Sequence, residues 1–191
     1  FVSDLASCAL YSFDKGIFDE LEKVKKSERG EYEITDAIKG ISLKEKIYCI
    51  KSKSCFQISF PWDLLIADKA IRKGKNVIGK NSRINGNVKN STIGNNCVIN
   101  GNVKNSIMMD NVTIEKNSVV EDSIIGENVY FNGKIISEEE VYSVVRGKKI
   151  KVDKLGAIIG DNVNANGAVI EHGCKIWPNK KISGEIKNDI Q

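Results

Sequence analysis

The sequence predicts a mainly β protein whose larger part, residues 76–131 and 157–186, is a hexapeptide-repeat, left-handed parallel β-helix. Three observations predict it. The segment Ile84-Asn-Gly-Asn-Val-Lys-Asn-Ser91 recurs letter for letter as Ile99 to Ser106. Ile124-Ile-Gly-Glu-Asn-Val129 returns nearly unchanged as Ile158-Ile-Gly-Asp-Asn-Val163. Beneath both runs a six-residue aliphatic step: Ile78 and Ile84, Ile93 and Ile99, Ile114 and Val120, Ile125 and Phe131, Ile159 and Ala165, then Ile170, Ile176 and Ile182. Self-similarity at a short fixed period is the signature of a solenoid.

Four residues after many of these comes a small or β-branched residue, among them Ser82, Val88, Cys97, Val103, Ser118, Val129, Val163 and Cys174. Turns of the type Gly-x-Asn or Asp-Asn lie between, at 79–81, 94–96, 110–111, 126–128 and 160–162. The pattern suits a triangular coil. Each side is a short strand with one large aliphatic residue pointing inward, and each corner takes a residue that tolerates positive φ, as Asn and Gly do. An antiparallel meander would alternate with period two instead.

Residues 132–156 interrupt the period. Glu138-Glu-Glu-Val-Tyr-Ser-Val-Val-Arg-Gly-Lys-Lys-Ile150 has two β-rich runs around a polar break and predicts a loop or small hairpin leaving the coil. Residues 1–74 have another character. Short strands are expected at 10–13, 46–51 and 54–60. A helix is expected after Asp14, with Ile17, Phe18, Leu21 and Val24 on one face, and another around 35–38. Pro61 opens a connecting helix that Gly74 ends. The boundary between the two parts is placed at 74/75. The first part holds too few strands to close a sheet, and the chain begins at Phe1 inside a strand-like stretch, so a fragment of a longer protein is expected.

With 29 Lys and Arg against 25 Asp and Glu, the charge of +4 is too balanced to predict a nucleic-acid partner or a basic membrane patch. No apolar run is long enough to cross a membrane as a helix. The five cysteines are odd in number, include no C-x-x-C pair, and have a single His for company, so neither a zinc site nor a disulfide framework is expected. Cys97 and Cys174 fall at small-residue positions of the coil and predict core fillers. Reduced thiols point to a cytoplasmic protein. The only His, His172, falls at a repeat corner.

Leu10-Tyr-Ser-Phe-Asp14, Glu28-Arg-Gly-Glu-Tyr-Glu-Ile-Thr-Asp-Ala-Ile38, Pro61-Trp-Asp-Leu-Leu65, Asp122 to Val129 and Leu155 to Val163 together resemble the sugar-1-phosphate nucleotidyltransferases, especially the archaeal kind with a C-terminal β-helix. The resemblance spans nearly the whole chain in order. It implies that residues 1–74 are the C-terminal part of an α/β nucleotidyltransferase domain, and that 75–191 are the β-helix with its excursion at 132–156. It further implies Mg²⁺-assisted transfer between a nucleoside triphosphate and a sugar 1-phosphate with release of pyrophosphate, and a homotrimer formed through the β-helix. The family's G-x-G-T-R-L phosphate loop is absent. This segment alone is therefore expected neither to bind Mg²⁺ nor to act on sugar phosphate and nucleotide.

By the same resemblance the sugar-pocket candidates are Ser7, Glu33 and Gln57. Two of them depart from the pattern. Ser7-Cys8-Ala9 stands for N-A-G, and Gln57 stands where W-x-D-x-G-x-P has its metal-binding Asp. A neutral amide is a poor Mg²⁺ ligand beside a carboxylate. Bifunctional relatives acetylate an amino-sugar phosphate from acetyl-CoA with a P-H-x-S-Y-x-G-D-S motif. Here the aligned stretch is Glu115 to Ser123, with Lys116 for the His general base and Val119 for the Tyr. Three functions follow: an enzyme acting through the absent half, a non-catalytic regulatory or assembly subunit, and a β-helix acyltransferase with an altered base.

Overall fold

The structure is a computed structural model that describes residues 7–53 and 55–191. The chain divides into two compact units, Phe1–Gln57 and Ile58–Gln191.

In the first unit, helix α1 (Gly16–Leu21) begins where Asp14 Oδ1 accepts the Gly16 N–H at 2.8 Å. Helix α2 (Ile34–Ser42) packs on it through buried Ile17 and Ala37. Glu20, 8% exposed, accepts from Lys23 Nζ at 2.8 Å and also from Lys44 Nζ. Gly40 makes room for that carboxylate, since an added Cβ would stand 2.3 Å from its Oε2. The strands expected at 10–13, 46–51 and 54–60 are not found: among the described residues these segments are extended but unpaired, and Ser54 lies outside the described residues. A strand needs a neighbour for its backbone groups, and among the described residues these segments pair with none.

The second unit opens with helix α3 (Asp63–Arg72). Asp63 Oδ2 accepts the N–H groups of Ser59 and Phe60 at 2.7 and 2.8 Å, which closes the turn into the helix. Lys73 and Gly74, at φ of 51° and 77°, end it in the left-handed conformation. Asp68 accepts from Arg72 Nε at 2.5 Å and from Thr92 Oγ1, which fastens the helix to the coil.

The coil is a parallel β-solenoid, as the repeats predict. Its first face is a six-stranded parallel sheet of dipeptides: Val77–Ile78, Thr92–Ile93, Ile107–Met108, Ile124–Ile125, Ile158–Ile159 and Lys175–Ile176. The second and third faces form one continuous sheet, because strands such as Tyr130–Ile135 and Asn164–Ile170 run around the corner between them. The six-residue step holds from the first face to the second, as in Ile93 to Ile99 and Ile125 to Phe131. It shortens to four from Ile99 to Val103. Val77 therefore pairs with Thr92, 15 residues on, and Ile107 with Ile124, 17 on. Ile93, Ile99, Met108, Ile114, Ile125, Phe131 and Ile159 are each at most 1% exposed, and Cys97 and Cys174 are buried among them as expected.

Two polar ladders fix the register. Asn81, Asn96, Asn111, Asn128, Asn162 and Asn179 all have φ between 55° and 64°. Each amide donates to the next, at 3.2, 3.3, 3.0, 3.1 and 3.0 Å. At a second corner, buried Ser91, Ser106 and Ser123 each accept the backbone N–H of the following turn, at 3.1, 3.1 and 3.0 Å. Each also donates to the carbonyl two residues before it. A buried hydroxyl with both donor and acceptor used adds specificity at no desolvation penalty.

The coil continues through Ile135, so the interruption is shorter than the sequence suggests. It is an antiparallel hairpin of Glu138–Val145 and Lys148–Leu155, turning at Arg146 and Gly147 with φ of 47° and 76°. Two positive φ values in a two-residue loop match the twist of the flanking strands. Val141, Val152 and Leu155 bury against Trp62, with Phe60, Leu65, Ile150 and Ile158 packed around them. The outward residues Ile107 and Ile124 of the first face are 8% and 5% exposed, so α3 and the hairpin roof that face. The last turn is closed by the tail, where Ile190 pairs with Ile176 and Ile186 packs on the core. Among the described residues, no helix is long and apolar enough to cross a membrane.

Candidate functional site

Ser7, Glu33 and Gln57 all lie in the first unit, and no hydrogen bond or ion pair joins them among the described residues. The Ser7 hydroxyl is 2.8 Å from that of Tyr11 and accepts the Ala9 N–H at 3.1 Å. Ala9 turns the chain sharply, at φ of 54°. Glu33 precedes α2 and accepts from Arg29 Nη2 at 2.5 Å and Ser27 Oγ at 3.2 Å. The hydrogen bond from Arg29 holds its carboxyl below the usual range, so it is a fixed anion already neutralised by a neighbour. Gln57 is exposed.

These residues do not fit a magnesium site. Gln57 is neutral, Glu33 is taken by Arg29, and no group of His, Cys, Asp or Glu among the described residues converges to hold a metal. A first cavity of about 170 Å³ lies beside α1 and is lined by Asp14, Asp19, Glu20, Lys23 and Lys44. Hydrogen bonds from Lys23 and Lys44 hold the Glu20 carboxyl below its ordinary pKa. Its charges pair with one another across the two helices, which is the work of a structural clamp.

The acetyltransferase positions sit at the corner between the second and third faces. Lys116 is exposed, and half-buried Val119 starts a strand of the third face. Val119 pairs with Asn102, beside the inward Val120. The corner thus presents an exposed lysine and an alkyl group where the motif has its His and Tyr, beside the Ser118 hydroxyl that accepts the Gly133 N–H at 3.1 Å.

One polar cluster escaped the sequence. Lys175, 9% exposed, donates to Ser143 Oγ at 2.8 Å and pairs with Asp189 Oδ2 at 2.8 Å. The Ser143 hydroxyl in turn donates to the Gly173 carbonyl at 3.1 Å. Nearby, His172 Nε2 meets Glu138 Oε2 at 2.9 Å, while its Nδ1 is buried without a hydrogen-bond partner among the described residues. Hairpin, corner and tail are locked together here. They enclose a groove of about 310 Å³ lined by Tyr142, Val144, His172, Cys174, Lys187 and Asp189. Burial pushes the Cys174 thiol up to about 11, so it is inert. A Lys in this position carries no signal in sequence, since its partners come from three separate segments.

A family model described as the GMPPB C-terminal domain matches residues 66–191. Over 240 aligned positions the chain is 33% identical to the "Bifunctional protein GlmU" of Methanococcus maripaludis strain C7, covering 99% of this chain and 58% of that protein. The protein of the same name from Methanococcus aeolicus is 35% identical with the same coverage. A "Bifunctional sugar-1-phosphate nucleotidylyltransferase/acetyltransferase" from Sulfurisphaera tokodaii is 30% identical over 84% of this chain and 53% of its own length. The chain thus spans a little over half the length of the curated relatives it matches.

Proposed function

Because the chain belongs to the GMPPB C-terminal domain family, we propose that it forms the C-terminal part of a cytoplasmic sugar-1-phosphate nucleotidyltransferase-like protein. In this reading the solenoid assembles copies of the chain. Residues 7–57 close the sugar side of a catalytic α/β domain, with Ser7, Glu33 and Gln57 toward the sugar phosphate. The observation that carries it is the state of the first unit's extended segments. Leu10, Tyr48 and Ile50 are 91%, 79% and 95% exposed, on stretches with strand composition and, among the described residues, no strand beside them. Apolar β segments of this kind are stable only inside a larger sheet.

The assembly proposed is a homotrimer. Its contacts run through the second and third faces, because α3 and the hairpin already occupy the first. Light scattering on the eluted protein should give three times the chain mass, and a monomer would remove the assembly role. The activity test supplies Mg²⁺, several sugar 1-phosphates and the nucleoside triphosphates to the protein that carries the α/β half. Pyrophosphate release from at least one pair is expected, and none from any pair overturns the catalytic reading.

A second reading, a non-catalytic regulatory or assembly subunit, is favoured by Gln57 in place of the carboxylate. Under it the natural protein releases no pyrophosphate, and Gln57→Asp restores release. Full activity of the unaltered protein rules it out. The name of the Sulfurisphaera tokodaii relative includes acetyltransferase, but Lys116 and Val119 stand in place of both motif groups at this corner. Calorimetry with coenzyme A tests an acyltransferase, and absence of heat ends that reading.

A further inference from the structure

The chain contains four Asn–Gly steps: Asn85–Gly86, Asn100–Gly101, Asn132–Gly133 and Asn166–Gly167. An asparagine before glycine is chemically labile, because the next backbone nitrogen, unscreened by a Cβ, can attack the side-chain amide carbon. The fold treats the four steps differently. The Gly86 N–H donates to the Ile99 carbonyl at 2.9 Å, and the Gly133 N–H donates to Ser118 Oγ at 3.1 Å. Gly101 is buried, and an added Cβ there would stand 2.6 Å from the Ser118 carbonyl oxygen. Gly167 is the exception. It is exposed at φ of 68°, and an added Cβ would meet nothing within 4 Å. It also bulges out of both neighbouring strands. On one side Asn166 pairs with Asn132 and Ala168 with Gly133; on the other Ala165 pairs with Ile182 and Ala168 with Gly184. Gly167 is skipped each time.

The side chain of Asn166 is also set for the reaction. Its Oδ1 accepts from Asn132 Nδ2 at 2.9 Å, which draws electron density from the amide carbon, while its own Nδ2 makes no hydrogen bond among the described residues. We propose that Asn166 is a deamidation site, at which the solenoid converts to a mixture of aspartate and isoaspartate. Hydroxide takes the Gly167 amide proton, and the nitrogen forms a bond to Asn166 Cγ. The Cγ–Nδ2 bond then breaks, ammonia leaves with a proton from water, and a five-membered succinimide remains. A second water opens the ring. Attack at Cγ gives aspartate, and attack at the main-chain carbonyl gives isoaspartate, in which the backbone runs through the former side chain. In balance one water enters and one ammonia leaves. Isoaspartate lengthens the backbone between the pairs Ala165–Ile182 and Ala168–Gly184, so the last coil loses its register.

Cleavage after Arg83, Lys89, Lys104, Lys116, Lys134, Lys154 and Lys175 places the four steps on four different tryptic peptides. The test holds the folded 191-residue chain in mildly alkaline buffer at body temperature and maps timed digests by mass spectrometry. Asn166 should lose its amide roughly tenfold faster than each of the other three, whose glycines are held by hydrogen bonds and close packing. Electron-transfer fragmentation should find both aspartate and isoaspartate at that position. In denaturing urea the four rates should converge, which separates the effect of the fold from that of the sequence. Gly167→Ala should slow the loss at Asn166 and leave the other three steps unchanged. Equal loss at all four steps in the folded chain, or faster loss at any other asparagine, overturns the proposal. So does an Asn166 that stays intact, or a ranking that persists in urea.

Discussion

The solenoid and the first unit treat their apolar residues in opposite ways. Along the prism, Ile99, Ile114, Ile125 and Phe131 reach 0% exposure. In the first unit, Ile17 and Ala37 are buried, while Phe18, Leu43, Tyr48 and Ile50 range from 65% to 95% exposed. The difference is one of neighbours. A coil needs only the coil before and after it, so a segment of the chain carries its own core. A strand of an α/β sheet needs partners from distant sequence. Stability in this molecule is therefore concentrated where contacts are local in the repeat sense.

The comparison can be broken most directly by truncating one large apolar side chain in each unit. Phe131→Ala should cost the solenoid about 4 kcal/mol, from lost burial and a cavity in a rigid prism, read from the urea midpoint. Ile50→Ala, at 95% exposure, should move the same midpoint by less than about 0.5 kcal/mol. Equal effects would show that the segment around Ile50 is packed after all.

Next in size is the roof of the first face. Lys175→Ala removes the donor to Ser143 and the partner of Asp189, and should cost about 2 kcal/mol, the scale of charge-assisted bonds left unmade. Hydrogen exchange should rise in the hairpin and the tail together. Smaller again is the ladder. Asn111→Ala places an alanine at φ of 60° and cuts two amide contacts, for about 1–2 kcal/mol. Asn111→Gly should cost less, because glycine removes the strain but not the lost amides.

The smallest effect belongs to the first unit and depends on pH. Lys23 and Lys44 hold the Glu20 carboxyl below its ordinary 4.5. The clamp therefore stabilises the folded unit above that value and is lost as pH falls through the lowered pKa of the folded state. Protection of the α1 and α2 amides against exchange should fall as pH drops below 4.5, while the solenoid amides stay protected. Glu20→Gln should abolish the pH dependence.

Much of this was legible in the letters. The repeats predicted the parallel coil, the Asn corners and the buried cysteines, and Pro61 and Gly74 bracketed the connecting helix. The expected strands of the first unit failed because composition reports strand preference and not the presence of a partner. The strict six-residue side failed between Ile99 and Val103, where the coil takes a shorter step. The Lys175 cluster was invisible because Ser143, Lys175 and Asp189 belong to a hairpin, a rung and a tail. Lys116 and Val119 lie at one corner of the coil, exposed and half-buried.

By itself the sequence determined the solenoid, because each turn repeats the same local instruction: aliphatic inward, Asn at the corner, small residue beside it. The tertiary structure decided which faces stay open and how Lys175 meets Ser143 and Asp189. Those depend on where a hairpin, a helix and the tail come to rest, and no periodicity encodes that.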